Sequence, residues 1–264
     1  MNPTENLRKA LQKELASVEK AELKLQKKAE APAPAYKEKI ESKIPDTVLT
    51  TLKTTFAKAF GIVFSRGTAL IEKGINKENL SADFDVYDYA VDKKGSRKEL
   101  KQLRKAAKKS DFVNLSVTTA EGVGLGALGI GLPDIVLFIG MILKGVYEVS
   151  LRYGYNYDTP EEQYFILTML KTALSQGTVW HASNTEVDRI LSSDSGTDKK
   201  TVAKQMEETA ETFATDMLVL KFIQGLPIVG VLGGMFNPVY YRRILTYVSL
   251  KYHKRYLLDK LSDL

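Results

Sequence analysis

One apolar stretch constrains the fold of this chain more than any other feature. Between Val123 and Leu143 a single residue, Asp134, carries charge, and it follows Pro133 directly. The stretch is long enough to cross a hydrocarbon core of about 30 Å as a helix. Its repeated glycines, the proline and the central carboxylate make one uninterrupted spanning helix a poor description. We predict a glycine-rich approach, a break at Leu132-Pro133, and a new helix whose first turn holds Asp134.

A second glycine-rich apolar stretch, Phe222 to Phe236, repeats this arrangement later in the chain. Its Gly225-Leu226-Pro227 unit echoes Gly131-Leu132-Pro133, and Asn237-Pro238 then forms a pair typical of a helix cap and first turn. A repeated membrane element and close packing of glycines inside a soluble core both explain the echo. We therefore predict two helical hairpins, either buried or dipping into a membrane, rather than a spanning helix.

Helical periodicity extends over the remaining sequence, and no segment alternates polar and apolar residues as a strand does. Residues 1–30 have near-heptad spacing, which polar Glu14 interrupts, and predict a charged helix. The Ala/Pro run at 31–35 predicts a linker, and we predict that residues 36–264 form the main domain. The predicted fold is all-α, a multi-helix bundle built from the two glycine-rich apolar hairpins with a flanking N-terminal helix.

Local signals place several helix ends. We predict that Asp46 caps a helix, and that Thr159 caps another while Glu162 reaches back to it. Gly154 is expected to end the helix that begins near Asp134. The segment 73–89 mixes Gly, Asn, Asp and aromatic residues, which predicts a connection with a short helix.

The net charge of +6 favours contact with an anionic surface. In the run 97–109, seven basic residues stand against Glu99 alone. Three interpretations of this run remain open: it binds anionic lipid, it binds nucleic acid, or it is simply a solvated helix face. Lipid is preferred to nucleic acid because few aromatic residues lie between the basic ones. The candidate membrane-contact residues are Arg97, Lys101, Arg104, Lys105, Lys108, Arg242 and Arg243.

Catalytic and metal-binding patterns are weak. The chain has no cysteine, and its two histidines lack a metal-ligand spacing. A formal Gly124-x-Gly126-x-x-Gly129 match has no preceding strand, so no dinucleotide site, cofactor or metal is predicted. Asp134 is interpreted first as a helix-capping carboxylate and second as a functional group in an apolar setting. Enzymatic activity stays an open question, with a non-enzymatic role preferred.

An ordered set of motifs resembles the EcsC family. Three motifs are similar to the first half of the family: Glu121-Gly122, Leu132-Pro133-Asp134 and Tyr153-Gly154-Tyr155. Four more are similar to its second half: Leu226-Pro227-Ile228-Val229-Gly230, Gly233-Gly234, Asn237 and Arg255-Tyr256-Leu257. The resemblance covers roughly residues 45–260 and leaves out the N-terminal 35. It implies a bacterial, helical, membrane-linked protein without an established activity, whose family takes its name from a gene beside a transporter operon.

The leading hypothesis is a non-enzymatic accessory protein that associates with the cytoplasmic face of the cell membrane. It would bind lipid or a membrane protein such as a transporter, and self-association is left open. No apolar signal segment opens the sequence, which fits the cytoplasmic side. A soluble helical hydrolase acting on lipid or peptide, and a cytosolic interaction module, are the alternatives. The candidate functional residues are Asp134, Tyr153 and Asn237.

Overall fold

The computed structural model describes residues 3–31, 44–67, 71–72, 74–108, 133–192, 201–223 and 238–264. These ranges contain nine α-helices and no strand, which confirms the all-α prediction. In chain order the helices are α1 (Pro3–Glu30), α2 (Asp46–Ile62), α3 (Lys77–Lys94), α4 (Arg97–Ala107), α5 (Pro133–Leu151), α6 (Pro160–Leu174), α7 (Gly177–Leu191), α8 (Val202–Ile223) and α9 (Pro238–Ser262). A π-helical turn, Val63–Gly67, continues α2. Residues 109–132 and 224–237, which include most of the two predicted hairpins with Gly225 and Asn237, lie outside the described residues.

Helix α5 contains the later part of the long apolar stretch. Its residues from Ile135 to Leu143 are buried or nearly so, among α2, α3 and α9. Ile139 and Ile142 have no exposed surface at all. This part of the stretch therefore belongs to the protein core. Among the described helices, none combines the length and the apolar character that a membrane crossing requires.

An aromatic cluster centred on Phe213 joins α8 to its neighbours. The Phe213 ring centroid lies 5.5 Å from Phe56 and 5.4 Å from Phe60, both on α2. It lies 6.4 Å from Phe138 on α5 and 6.1 Å from Tyr240 on α9. Tilted and edge-on aromatic pairs of this kind stabilise the fold by more than the burial of their apolar surface alone. The cluster thus joins α2, α5, α8 and α9.

Helix α9 is buried on almost every side, although many of its residues are polar. It packs against α1, α5 and α6. Three of its tyrosines bury their rings and donate their hydroxyls to partners, which are Asn184 for Tyr247, Glu162 for Tyr252 and Asp88 for Tyr256. Each tyrosine buries an apolar ring while its hydroxyl finds a hydrogen-bond partner. Helix α9 can therefore lie at the centre of the bundle although it has no single apolar face.

Several predicted helix ends are confirmed. Helix α5 begins at Pro133, with Asp134 in its first turn. The chain leaves α5 through Gly154, whose φ of +79° is left-handed as expected. The Thr159 side chain accepts a hydrogen bond from the Glu162 amide and caps α6.

Three local predictions are wrong. Asp46 lies inside the first turn of α2, and Pro45 occupies the N-cap position without a side-chain hydrogen bond. Glu162 does not reach back to Thr159, because its oxygens accept hydrogen bonds from α9 instead. The supposed connection at 73–89 contains most of α3, an 18-residue helix capped by Asn76. Contacts with α9 stabilise α3 despite its weak apolar pattern.

Candidate functional site

The structure describes the side chain of only one of the three candidate functional residues, Tyr153. Asp134 is the second residue of α5, and its side chain lies outside the described part of the structure, as does the whole of Asn237. Tyr153 is placed: it lies in the turn after α5 with 1% of its surface exposed. The site can therefore be built outward from Tyr153.

A buried ionic cluster surrounds Glu14, where α1, α4 and α9 meet. The Glu14 side chain has no exposed surface. Its Oε2 accepts a 2.8 Å hydrogen bond from Arg97 Nε, and its Oε1 lies 2.6 Å from Arg104 Nη1. His253 Nε2 on α9 is 3.6 Å from the same Oε1. One carboxylate thus joins three helices, and we call these four residues the Glu14 cluster.

The spacing of residues along α1 explains why a carboxylate is buried there. Leu7, Leu11, Glu14 and Val18 follow one another at four, three and four positions, which places them on one face of a helix. The three apolar members pack into the core and carry Glu14 with them. The sequence signal was visible as a polar interruption of the apolar seam, but it did not identify the partners.

Tyr153 borders the Glu14 cluster. Its ring centroid lies 5.6 Å from that of His253. Within the described structure, neither the Tyr153 hydroxyl nor either ring nitrogen of His253 has a hydrogen-bond partner. Burial raises the pKa of Tyr153 far above its usual value, so the phenol stays protonated.

Opposing effects set the charges in the cluster. Burial alone raises the pKa of Glu14, but the contacts with His253 and Arg97 and the charge of Arg104 lower this pKa to about 2. Burial lowers the pKa of His253, and the charges of Arg104 and Lys108 add to that effect while Glu14 opposes it. At neutral pH the cluster therefore contains a carboxylate, a neutral imidazole and two guanidinium groups.

A second ionic cluster fastens α1 two turns further on. Lys254 Nζ lies 2.8 Å from Glu22 Oε2 and 2.7 Å from Asp188 Oδ1. The fully buried Lys251 also contacts Glu22, and it lies 2.9 Å from Asp188. Glu22 belongs to α1, Asp188 to α7 and both lysines to α9. The inner face of α1 is thus fixed to the bundle by two carboxylates, Glu14 and Glu22.

The candidate membrane-contact residues of α4 divide between two faces. Arg97 and Arg104 turn toward Glu14 and are partly covered. On the outer face, four lysines are exposed and make no ion pair within the described residues; they are Lys98, Lys101, Lys105 and Lys108. Steps of three, four and three residues place them in one line along α4 and its C-cap residue, Lys108. We call this line the α4 lysine stripe.

The two arginines of α9 also differ from each other. Arg242 is exposed. Arg243 is partly buried, lies 3.6 Å from Asp216 and donates a 3.4 Å hydrogen bond to the Ser175 carbonyl. Both residues lie on α9, whereas the other five candidates lie in α4 or at its C-cap.

A surface groove of about 370 Å³ lies between α6 and α8. Its charged lining residues are already engaged, since Lys171 lies 2.6 Å from Glu208 and Glu211 lies 2.7 Å from Lys53. Its described lining contains no histidine, which leaves its serine and threonine hydroxyls without an imidazole base. Tyr153 is not among the lining residues.

These features define a helical protein in which buried ion pairs fasten α1 to the bundle and α4 presents exposed lysines that make no ion pair within the described residues. The chain belongs to the EcsC protein family, which matches residues 9–257. The match begins inside α1, earlier than the resemblance at roughly residue 45 indicated. The division into a helix, a linker and a main domain stays a prediction. Comparisons with curated proteins and with solved structures found no match.

Proposed function

We propose that this EcsC-family protein is a non-enzymatic accessory protein that binds the anionic surface of a membrane from its cytoplasmic side. The observation that carries the proposal is the α4 lysine stripe, whose four lysines are exposed and make no ion pair within the described structure. Partial burial of its side chain lowers the pKa of Lys108. The same helix directs its arginines inward to Glu14. Helix α4 is thereby held with its lysines toward solvent.

The chemistry of the stripe suits lipid headgroups at a bilayer surface. Each lysine near an anionic leaflet contributes about 1 kcal/mol of binding, so four would contribute about 4 kcal/mol. The exposed large apolar residues of the described chain, Leu23, Val86, Tyr89 and Val179, all lie on other helices. Contact through α4 would therefore be electrostatic and would weaken as salt is added.

The proposed work is to support a membrane protein, such as a transporter, at that surface. Nucleic acid is the competing polyanion, because phosphates also attract a row of lysines. Aromatic side chains that would stack on bases are missing between the four lysines of α4. This composition favours lipid headgroups over single-stranded nucleic acid.

Vesicle sedimentation tests the proposal. The full chain is mixed at low salt with vesicles of phosphatidylglycerol and phosphatidylcholine, and separately with pure phosphatidylcholine. We expect binding to the anionic vesicles alone, and at least a tenfold loss of affinity when the four stripe lysines are changed to glutamine. The matched control changes four exposed lysines of α1, Lys20, Lys24, Lys27 and Lys28, to glutamine. Because net charge falls equally, the control separates the stripe from overall charge.

Three results would contradict the proposal: no binding of the wild type to anionic vesicles, equal losses in the two quadruple variants, or tighter binding to a DNA duplex of matched phosphate concentration. High-salt and carbonate washes extend the test. Release by salt is expected for a peripheral charge contact, and retention after carbonate points to insertion.

A further inference from the structure

Helix α3 presents an apolar ridge to solvent. Ala82, Val86 and Tyr89 follow one another at four and three positions, so they lie in a row along one face. Val86 is 67% exposed and Tyr89 is 63% exposed. Two large apolar side chains one turn apart on a surface helix form the kind of anchor row that binds another helix.

Acidic side chains flank this ridge. Glu78, Asp83 and Asp85 are exposed and make no ion pair within the described residues. The inner acids of the same helix are engaged, since Lys260 Nζ lies 2.9 Å from Asp88 and 2.8 Å from Asp92. The inner carboxylates of α3 are thus paired, whereas the outer ones make no ion pair within the described residues. The outer acids share their side of the helix with Lys93, whose Nζ lies 5.4 Å from the Tyr89 ring centroid. We call Ala82, Val86, Tyr89 and their flanking acids the α3 outer face.

Helix α1 presents the opposite combination. Leu23 is 53% exposed, and the neighbouring Lys20 and Lys24 are exposed without ion pairs within the described structure. Lys13 and Lys27 continue the basic line along the same side. Because Glu14 and Glu22 fix the inner side of α1, this α1 outer face is held outward.

We propose that the α1 outer face of one copy of this protein docks on the α3 outer face of a second copy. The α3 outer face carries three acids beside Lys93, and the α1 outer face carries four lysines beside Glu19, so the predominant charges of the two faces are opposite. Pairing two α3 faces or two α1 faces would instead bring like charges together, which is unfavourable. The α4 lysine stripe fits the acidic α3 face less well, because it offers no exposed large apolar side chain.

The arrangement within one copy favours a closed dimer. Helices α1 and α3 contact each other in the same protein, so the two outer faces belong to adjacent helices. A two-fold axis then pairs α1 with the partner's α3 and α3 with the partner's α1 in one interface. Since charged side chains surround a small apolar contact, the association should weaken strongly with salt.

Charge reversal tests this proposal in the full chain. Sedimentation velocity at low salt should show a concentration-dependent dimer that dissociates at high salt. The double variants K20E/K24E and D83K/D85K should each be monomeric at concentrations where the wild type is dimeric. An equal mixture of the two variants should recover the dimer, because both α1–α3 contacts are then between opposite charges. Circular dichroism checks that the exposed substitutions leave the helices intact.

Two further variants make the result specific. K101E/K105E changes net charge as much as K20E/K24E but alters only the stripe, so it should keep the dimer and lose vesicle binding. L23S/V86S should weaken the dimer without changing charge. A wild type that stays monomeric at all concentrations, or a mixture that fails to recover the dimer, would overturn the proposal. Failure of vesicle binding alone would overturn the lipid proposal and leave this one standing.

Discussion

Replacing Glu14 by glutamine removes the charge that joins α1, α4 and α9. Two estimates give the expected loss of unfolding free energy. A pKa lowered from 4.5 to about 2 corresponds to about 3 kcal/mol of stabilisation of the carboxylate. Removing one partner of a buried ion pair costs roughly 3–5 kcal/mol. Arg97 and Arg104 keep 41% and 33% of their side-chain surface exposed and can turn to water, which favours the lower figure.

The assay is urea and thermal unfolding of wild type and Glu14→Gln, followed by circular dichroism at pH 7. About 3 kcal/mol corresponds to a fall in Tm of roughly 6–12 °C for a chain of this size. Glu19→Gln is the matched control, because Glu19 is exposed on the same helix and the change in charge is identical. We expect the control to stay within about 0.5 kcal/mol of wild type.

The pH dependence provides a second check on the same reasoning. The folded pKa of Glu14 lies below the unfolded value of 4.5, so its stabilising effect is fully present above pH 4.5 and is lost as the pH falls toward 2. The difference between wild type and Glu14→Gln should therefore shrink below pH 4.5. A difference under 1 kcal/mol at pH 7, or one that stays constant down to pH 3, would refute the argument.

Two further predictions follow from the same region. Burial lowers the pKa of His253 in the folded protein below 6.5, so the wild type should lose unfolding free energy as the pH falls from 6.5 to 5. The His253→Phe variant should lose less over the same range. Parallel losses in the two proteins would contradict this prediction. Gly154→Ala should cost about 2–4 kcal/mol in urea unfolding, because the backbone is left-handed and the new methyl group meets the Phe84 ring. Gly177→Ala should cost only about 1 kcal/mol, since its φ is also positive but nothing lies within 4 Å; equal losses would exclude the Phe84 contact as the cause.

Helix ends were predictable where the signal is local. Pro133, Gly154 and Thr159 act through their own backbone geometry or an immediate neighbour, so the sequence was sufficient to place them. Helix α3 was underestimated because only Leu80 and Val91 of its residues are buried, too few to show a helical apolar pattern. Its hydrogen bond from Tyr256 to Asp88 spans 168 positions, a contact that no local pattern contains.

The site was predictable only in part. The run 97–109 was recognised as basic, but its composition could not show that Arg97 and Arg104 turn inward while Lys101 and Lys105 face solvent. That division depends on the position of Glu14, which lies 83 positions before Arg97. Glu14 itself was visible as an interruption of the α1 seam. Its partner His253 could not be inferred, because nothing in the sequence relates the two helices.

The central position of α9 has a consequence for the order in which the protein folds. Its ion pairs with Glu22 join residues separated by 229 and 232 positions, so α1 cannot complete its docking until α9 has been synthesised. Contacts of such separation slow folding, because a long loop must close before they form. During synthesis, the inner face of α1 is left without α9, one of the helices that it contacts in the folded protein. Helix α1 is thus made long before α9 and completes its docking only after α9 is present.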